Sequence, residues 1–326
     1  MSQDLRYSNI CSTDLTNQLS GILYITHSSF YIPPYLACLW ALCQETMRQN
    51  ISHKIMIAIG FLDLSILVLN GHVGGTFSIL GVDWCTHWWP MKVYGALSVF
   101  AWTTYCALCL LLAVNRASIM AGTGSASADW LSEAGLPYWL SACFVYGAAL
   151  ALAFTTPCCT AIHHSKMAIL IFDQTYPVGL LLPFLNNLVF ALLIVGLYST
   201  VLARLKFLTS LQGGQHQMTV TERSIFIQSL LVCSLASSLA LFYVMAPFLP
   251  FSNQAFTAFA SMLSQFVSGS NPLIYLIFNH NVRVKVCTLL GLGVQQSNNN
   301  IVQQMRVGEA GPSVMFVSKA NDEEDD

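Results

Sequence analysis

The sequence predicts an all-α membrane protein: a seven-transmembrane helix bundle, then a short amphipathic eighth helix and a disordered C-terminal tail. Three observations carry this expectation. Of the 326 residues, 55% are hydrophobic and 9% are charged, against about 25% charged in a soluble domain. A chain this apolar cannot cover its own surface in water. The apolar residues also gather in seven runs, near the ~20 residues a helix needs to cross hydrocarbon. The runs are continuous and not alternating, which favours helices over a membrane barrel.

Residues 1–20 (MSQDLRYSNICSTDLTNQLS) are polar and lack the apolar core of a signal peptide. They are expected to be an extracellular N-terminus, with the first span acting as its own insertion signal. The bundle occupies residues 21–278. Its predicted spans are Gly21 to Cys43, Ile55 to Leu80, Val93 to Val114, Tyr138 to Phe154, Pro177 to Leu202, Ser224 to Pro250 and Phe256 to Phe278. The fourth is the shortest. Prolines Pro183 and Pro247 are expected to kink the fifth and sixth. Residues 279–290 (NHNVRVKVCTLL) have the pattern of an interfacial helix, on which Cys287 is a candidate for palmitoylation. Residues 291–326 turn polar and end in Asn-Asp-Glu-Glu-Asp-Asp, a composition expected to stay disordered.

Basic residues set the expected orientation. With the N-terminus outside, Arg48, Lys54, Arg116, Arg204, Lys206, Arg223, Arg283 and Lys285 fall in the cytoplasm, against Arg6, Lys92 and Lys166 outside. The expected place is therefore the plasma membrane, with the C-terminus cytoplasmic. The sequon Asn50-Ile51-Ser52 lies in the first cytoplasmic loop, so glycosylation there would invert the topology.

Polar residues within the spans point to function. Asp63 is the acidic residue placed deep in a span, where a carboxylate is costly and usually functional or paired. The seventh span carries Asn271 and Pro272, then Tyr275. Pro272 should kink that helix, and Asn271 is the natural partner for Asp63. Arg116 ends the third span after Asn115, and Glu222 opens the sixth on the same side as a candidate ion-pair partner.

Several classes are disfavoured. None of the six lysines is mid-membrane, so covalent retinal, and any other cofactor, is not expected. No basic cluster indicates nucleic acid. One deep acid does not supply the catalytic set of an intramembrane enzyme. Cys106 and Cys109 form a CxxC at helical depth with no second pair, so no metal site is expected. An ion- or proton-coupled transporter using Asp63 is the alternative class, and it predicts broken helices at matched positions. The third span has no acidic residue between Val93 and Val114, which argues against a cationic amine ligand.

Asp63 in the second span, Asn115-Arg116 closing the third and Asn271-Pro272-x-x-Tyr275 in the seventh together resemble the rhodopsin-like G-protein-coupled receptors. Within them the chain is similar to nematode serpentine chemoreceptors of class T. That similarity is carried by Gly21-Ile22-Leu23-Tyr24-Ile25, Tyr31-Ile32-Pro33-Pro34-Tyr35-Leu36, Lys54-Ile55-Met56, Gly60-Phe61-Leu62-Asp63 and Ala113-Val114-Asn115-Arg116. The resemblance implies a chemosensory receptor for a small molecule, signalling to a heterotrimeric G protein through Asn115 and Arg116. Asp63, Asn271, Pro272 and Tyr275 would form the activation relay. It also implies a disulfide from Cys85 to Cys158 or Cys159, which sequence does not choose between. Two positions depart from the pattern: Asn115 stands where an acid commonly precedes the arginine, and Met245 stands two residues before Pro247, where a tryptophan is expected.

Overall fold

Each expected apolar run is a helix in the computed structural model, which describes residues 17–292 apart from 49, 83, 85–86, 121–130, 157–158, 173–176, 212–219 and 250–253. The long helices are α1 Gln18–Leu42, α2 Ile51–Leu80 with a π-helical stretch at Leu67–Val73, α3 Trp88–Met120, α4 Leu136–Ala153, α5 Pro177–Leu211, α6 Val220–Met245 and α7 Gln254–Phe278. A short α8, His280–Leu289, follows. Several helices outrun the predicted spans. Hydropathy stops where side chains turn polar, whereas the backbone hydrogen bonds continue past the hydrocarbon edge.

Five of the seven, α2 to α6, are apolar enough along their length to cross a membrane on hydropathy alone. Helices α1 and α7 have the length, 25 residues each, or about 37 Å at 1.5 Å per residue. Their lower hydropathy has a cause. Five polar residues of α7 (Ser264, Gln265, Ser268, Ser270 and Asn271) are buried, so they face the bundle and not lipid. The opposite holds for α4, whose Tyr138, Val145 and Leu152 are exposed apolar side chains.

One expectation needs correction. Pro247 does not kink α6. The α-helix ends at Met245 and tightens into a 3-10 turn, Ala246–Phe248, because the proline ring removes the next backbone donor. Pro183 and Pro272, by contrast, lie inside continuous helices. A small hairpin accompanies the all-α bundle. Strands β1, Ala161–His164, and β2, Ile169–Phe172, form an antiparallel hairpin between α4 and α5, with Ala161 opposite Phe172 and His164 opposite Ile169. The turn closes with Ala168 in the left-handed region at φ 53°.

The hairpin lies directly on α3. A Cβ added at Gly95 would stand 1.9 Å from the Ala161 carbonyl oxygen, so only glycine permits this approach. Its turn is tied to three helices. Asn17 Nδ2 at the start of α1 donates to the Lys166 carbonyl at 3.0 Å, and Thr257 of α7 donates to that of Met167 at 2.7 Å. The Ala168 carbonyl accepts from Tyr24 of α1 at 2.9 Å and from Ser261 of α7 at 3.0 Å. Ser165 donates to the Val82 carbonyl, just past α2, at 2.5 Å.

The bundle core is built from Met56, Ile59, Leu108, Leu112, Val232 and Ala236. Four of its largest fully buried side chains are tyrosines, Tyr24, Tyr35, Tyr105 and Tyr275. Each brings a hydroxyl that needs a polar neighbour, which explains why polar residues run through the middle of the bundle.

The chain divides into two units, residues 1–286 and 287–326. In the first, α8 begins on Asn279, whose Oδ1 accepts from the Val282 N–H at 3.2 Å. Arg283 Nη1 donates to the Leu276 and Ile277 carbonyls at 3.0 Å each, placing a cation on the C-terminus of α7. In the second, Gly291 at φ 68° closes the end of α8, and the Leu292 N–H donates to the Cys287 carbonyl at 2.9 Å. The expected disordered tail from 293 onward lies outside the described residues.

Candidate functional site

A cavity of about 630 Å³ opens inside the hairpin end of the bundle, a size typical of small-molecule sites. It is lined by residues of α1, α2, α3, α5, α6, α7 and the hairpin. Most are apolar: Ile66, Leu69, Ile169, Leu170, Phe172 and Phe184 among them. Polar groups are few and neutral. Tyr94 donates to Asn70 Oδ1 at 3.4 Å, Asn70 Nδ2 to Ser264 at 3.4 Å, and Trp102 Nε1 to Asn187 Oδ1 at 2.8 Å. No Asp, Glu, Lys or Arg lines it among the described residues, so no lysine stands ready for a Schiff base.

His163 roofs this cavity. Its place in a polar His-His-Ser-Lys run would suit a solvated loop, but the strand turns it inward. It is buried on β1, its Nε2 lies 3.0 Å from Ser78 Oγ, and its ring meets Tyr94 edge-on at 5.5 Å. Burial pushes its imidazole down to about 3, so it is uncharged at neutral pH and cannot hold an anion by charge. Burial lowers His164 as well, and Lys166 in the adjoining turn is exposed.

The cavity floor connects to the polar centre through aromatic rings. Trp102 of α3 meets Tyr243 of α6 edge-on at 6.1 Å and stacks on Tyr105, one turn further along, at 5.7 Å and 21°. Tyr105 in turn neighbours Asp63 and Asn271. There, Asp63 is fully buried, and its Oδ2 accepts from Tyr35 of α1 at 2.5 Å and from Asn271 of α7 at 2.6 Å. The predicted Asp63–Asn271 pair therefore forms. Its third member, Tyr35, was not foreseen, because a tyrosine in a span reads as packing. Tyr275 is fully buried beside this group, and the Pro272 carbonyl accepts from the Cys38 thiol at 3.7 Å. Five polar atoms here have no hydrogen-bond partner: Asp63 Oδ1, Asn271 Oδ1, Ser268 Oγ, Tyr105 OH and Tyr275 OH. Such a group is a seat for ordered water or a small cation.

The chain of polar contacts continues to the opposite end. Cys233 of α6 donates to the Cys109 carbonyl of α3 at 3.4 Å and accepts from Tyr198 of α5 at 3.6 Å. Tyr198, Cys233 and Glu222 are the electrostatic neighbours of Arg116. Arg116 is 3% exposed, and its Nε and Nη2 have no hydrogen-bond partner. Asn115 turns away from it and donates to Ser52 of α2 at 2.7 Å. Asn50, the asparagine of the sequon, caps α2 by accepting from the Ser52 N–H at 2.9 Å. At this end Ser224 of α6 donates to the Phe278 carbonyl, the last residue of α7. Lys54 pairs with Glu133 at 2.8 Å, an exposed contact of small value.

Other expected residues fall outside these groups. Cys85 and Cys158 lie outside the described residues. Cys159 is buried with Val99, Phe154 and Ala161 beneath the hairpin. Cys287 is a half-buried thiol. Among the described residues no cluster of metal-ligating side chains occurs. Trp88 and Trp89 are exposed on the first turn of α3, in keeping with an interfacial belt.

The fold is that of rhodopsin. The crystal structure of squid rhodopsin superposes with a TM-score of 0.69 over 92% of this chain and 94% of that one, at 13% sequence identity. No curated protein matches the chain in sequence. A family model does: the serpentine type 7TM GPCR chemoreceptor Srt model matches residues 7–299. The chain belongs to that family. It is a multi-pass membrane receptor of the G-protein-coupled, chemosensory kind and not an enzyme.

Proposed function

We propose that the chain detects a small molecule in the cavity beneath the hairpin and passes the event to a heterotrimeric G protein at the Arg116 end. The receptor sits in the plasma membrane with its N-terminus and hairpin outside, and beyond the cap at Gly291 and Leu292 the expected tail 291–326 continues as a disordered cytoplasmic segment. The observation that carries this reading is continuity. Trp102 and Tyr243 line the cavity or its floor, Tyr105 stacks beneath, and the Asp63–Asn271 bond lies next. A ligand that shifts Trp102 against Tyr243 acts on the contact between α3 and α6, whose far ends carry Arg116 and Glu222. Two packings of similar energy, biased by ligand at one end and partner at the other, are sufficient for signalling.

The remaining roles follow from the same reading. Arg116 engages the G protein when α6 moves away. Asn115, bonded to Ser52, does not restrain it, and Glu222 is its ion-pair partner at rest. Asp63, Asn271, Pro272 and Tyr275 form the relay, with Pro183 and Pro247 shaping α5 and the end of α6. Cys85 pairs with Cys158 or Cys159 outside, and Cys287 carries palmitate inside.

The direct test is expression in cultured cells with a panel of volatile and lipid-like compounds, read as nucleotide exchange on G proteins. Arg116→Ala should abolish exchange and leave ligand binding intact. Exchange that persists unchanged in Arg116→Ala would overturn the coupling role. Ion currents lost in Asp63→Asn, with no exchange at all, would point to transport instead.

A further inference from the structure

We infer that the ligand is a neutral, membrane-soluble molecule that reaches the cavity sideways from the bilayer, between α5 and the end of α6. This rests on reading the cavity as the ligand site.

The lining sets the chemistry. It holds no acid, lysine or arginine among the described residues, and its one imidazole is buried without charge. A charged ligand would lose its hydration and gain no counter-ion from the residues that line it. A neutral body with one or two hydrogen-bonding groups fits instead. His163 offers a nitrogen for one of them, since its Nδ1 has no hydrogen-bond partner.

The hairpin closes the other approach. Five hydrogen bonds tie its turn to α1, α7 and the end of α2, and β1 lies against Gly95 of α3. Where the hairpin meets α1 and α3 the lining is sealed, with Tyr24 and Ala168 at 1% exposure and Tyr94 at 4%. On the far side the lining is open. Leu180 and Leu181 of α5 are 43% and 50% exposed, and Phe248 after α6 is 70% exposed. These residues line the cavity and also face outward from apolar spans, where the surrounding medium is hydrocarbon. Both rims carry a proline, Pro183 and Pro247. Each lacks a backbone donor, so these stretches yield more readily than an unbroken helix.

The test uses the full chain in proteoliposomes and two photoreactive probes of equal length: a ten-carbon alcohol bearing a diazirine, and the matching carboxylate, ionised at pH 8. Labelled residues are read by mass spectrometry at increasing delays between mixing and flash. The alcohol should label Tyr94, Trp102 or Tyr243, and the carboxylate should not. Ala246→Trp, which narrows the gap, should slow the approach to the final labelling level about tenfold, the rate being scored apart from that level. Leu181→Trp repeats the test from the α5 side. Ser165→Ala, which frees one tie of the hairpin, should leave the rate as it was. Equal labelling by the carboxylate would overturn the ligand class. A rate unaffected by both tryptophans but raised by Ser165→Ala would overturn the route alone. Failure of the alcohol to label any cavity residue at membrane saturation would overturn the cavity reading itself.

Discussion

Gly95→Ala isolates the seating of the hairpin. The added Cβ would stand 1.9 Å from the Ala161 oxygen and 2.7 Å from its carbonyl carbon. Ordinary non-bonded contact needs about 3.5 Å, so β1 must retreat by roughly 1.5 Å. Neither partner can yield by rotating a side chain, because both are backbone. Overpacking of this kind costs about 1–3 kcal/mol, or roughly 5- to 150-fold in an opening equilibrium. The measurement is amide hydrogen exchange of the strand pairs Ile162–Ile171 and His163–Leu170 in the receptor in nanodiscs. Exchange should accelerate by that factor and spread to the turn at 165–168, whose ties to α1 and α7 would lengthen. Gly196→Ala is the control. It has nothing within 4 Å of the new methyl group, so it should leave hairpin exchange alone and strengthen α5 slightly through helix propensity. Equal exchange in wild type and Gly95→Ala would show that the hairpin is not seated on α3 as described.

Other outcomes follow from the same geometry. Tyr35→Phe removes one of the two donors to Asp63 Oδ2 and leaves the ring in place. It should cost about 1–3 kcal/mol, read as a lower Tm, and be non-additive with Asn271→Ala because both donors share one oxygen; an unchanged Tm would refute the bond. Ser224→Ala removes the tie from α6 to the Phe278 carbonyl. Basal nucleotide exchange should rise several-fold, and a fall would show that the tie favours the active packing. His163 gives a pH dependence. Its folded value, about 3, lies below the ~6.5 of an exposed imidazole. Protons therefore bind the unseated hairpin first as pH falls below about 6.5. Stability should drop by up to ~1.4 kcal/mol per pH unit from there toward 3. Hairpin exchange measured between pH 7.5 and 5 should show that slope, shallower in His163→Phe. His164, also lowered by burial, supplies the slope that remains.

The sequence made the helices legible because lipid demands long apolar runs and most spans supply them. It made Asp63 and Asn271 legible for the converse reason, since two rare polar residues in neighbouring spans have few other partners. Tyr35, Tyr105, Trp102 and Tyr243 were not legible. Aromatic residues satisfy lipid, core and cavity equally well, and only packing shows which of them turns a hydroxyl or indole inward. The hairpin was hidden for a different reason. Residues 161–172 read AIHHSKMAILIF, two short apolar ends around a polar His-His-Ser-Lys with no glycine to mark the turn, and the left-handed position is filled by Ala168. Nothing in that run singles out His163, which the strand places under the roof.

The π-helical stretch Leu67–Val73 in α2 has a consequence for the register of the receptor. It follows Asp63 by one turn and itself carries the cavity residues Leu69 and Asn70, and a π-turn holds more residues per turn than an α-turn. The wide turn absorbs its extra residue, so deleting one residue within it would restore a regular α-helix and leave the segments on either side in phase. Ser78 would still face His163 and Gly74 would still face Tyr94 beyond it, and Asp63 would keep Tyr35 and Asn271 before it. Only the stretch carrying Leu69 and Asn70 would be redrawn, so the second helix can recut one wall of the cavity while both of its ends stay docked.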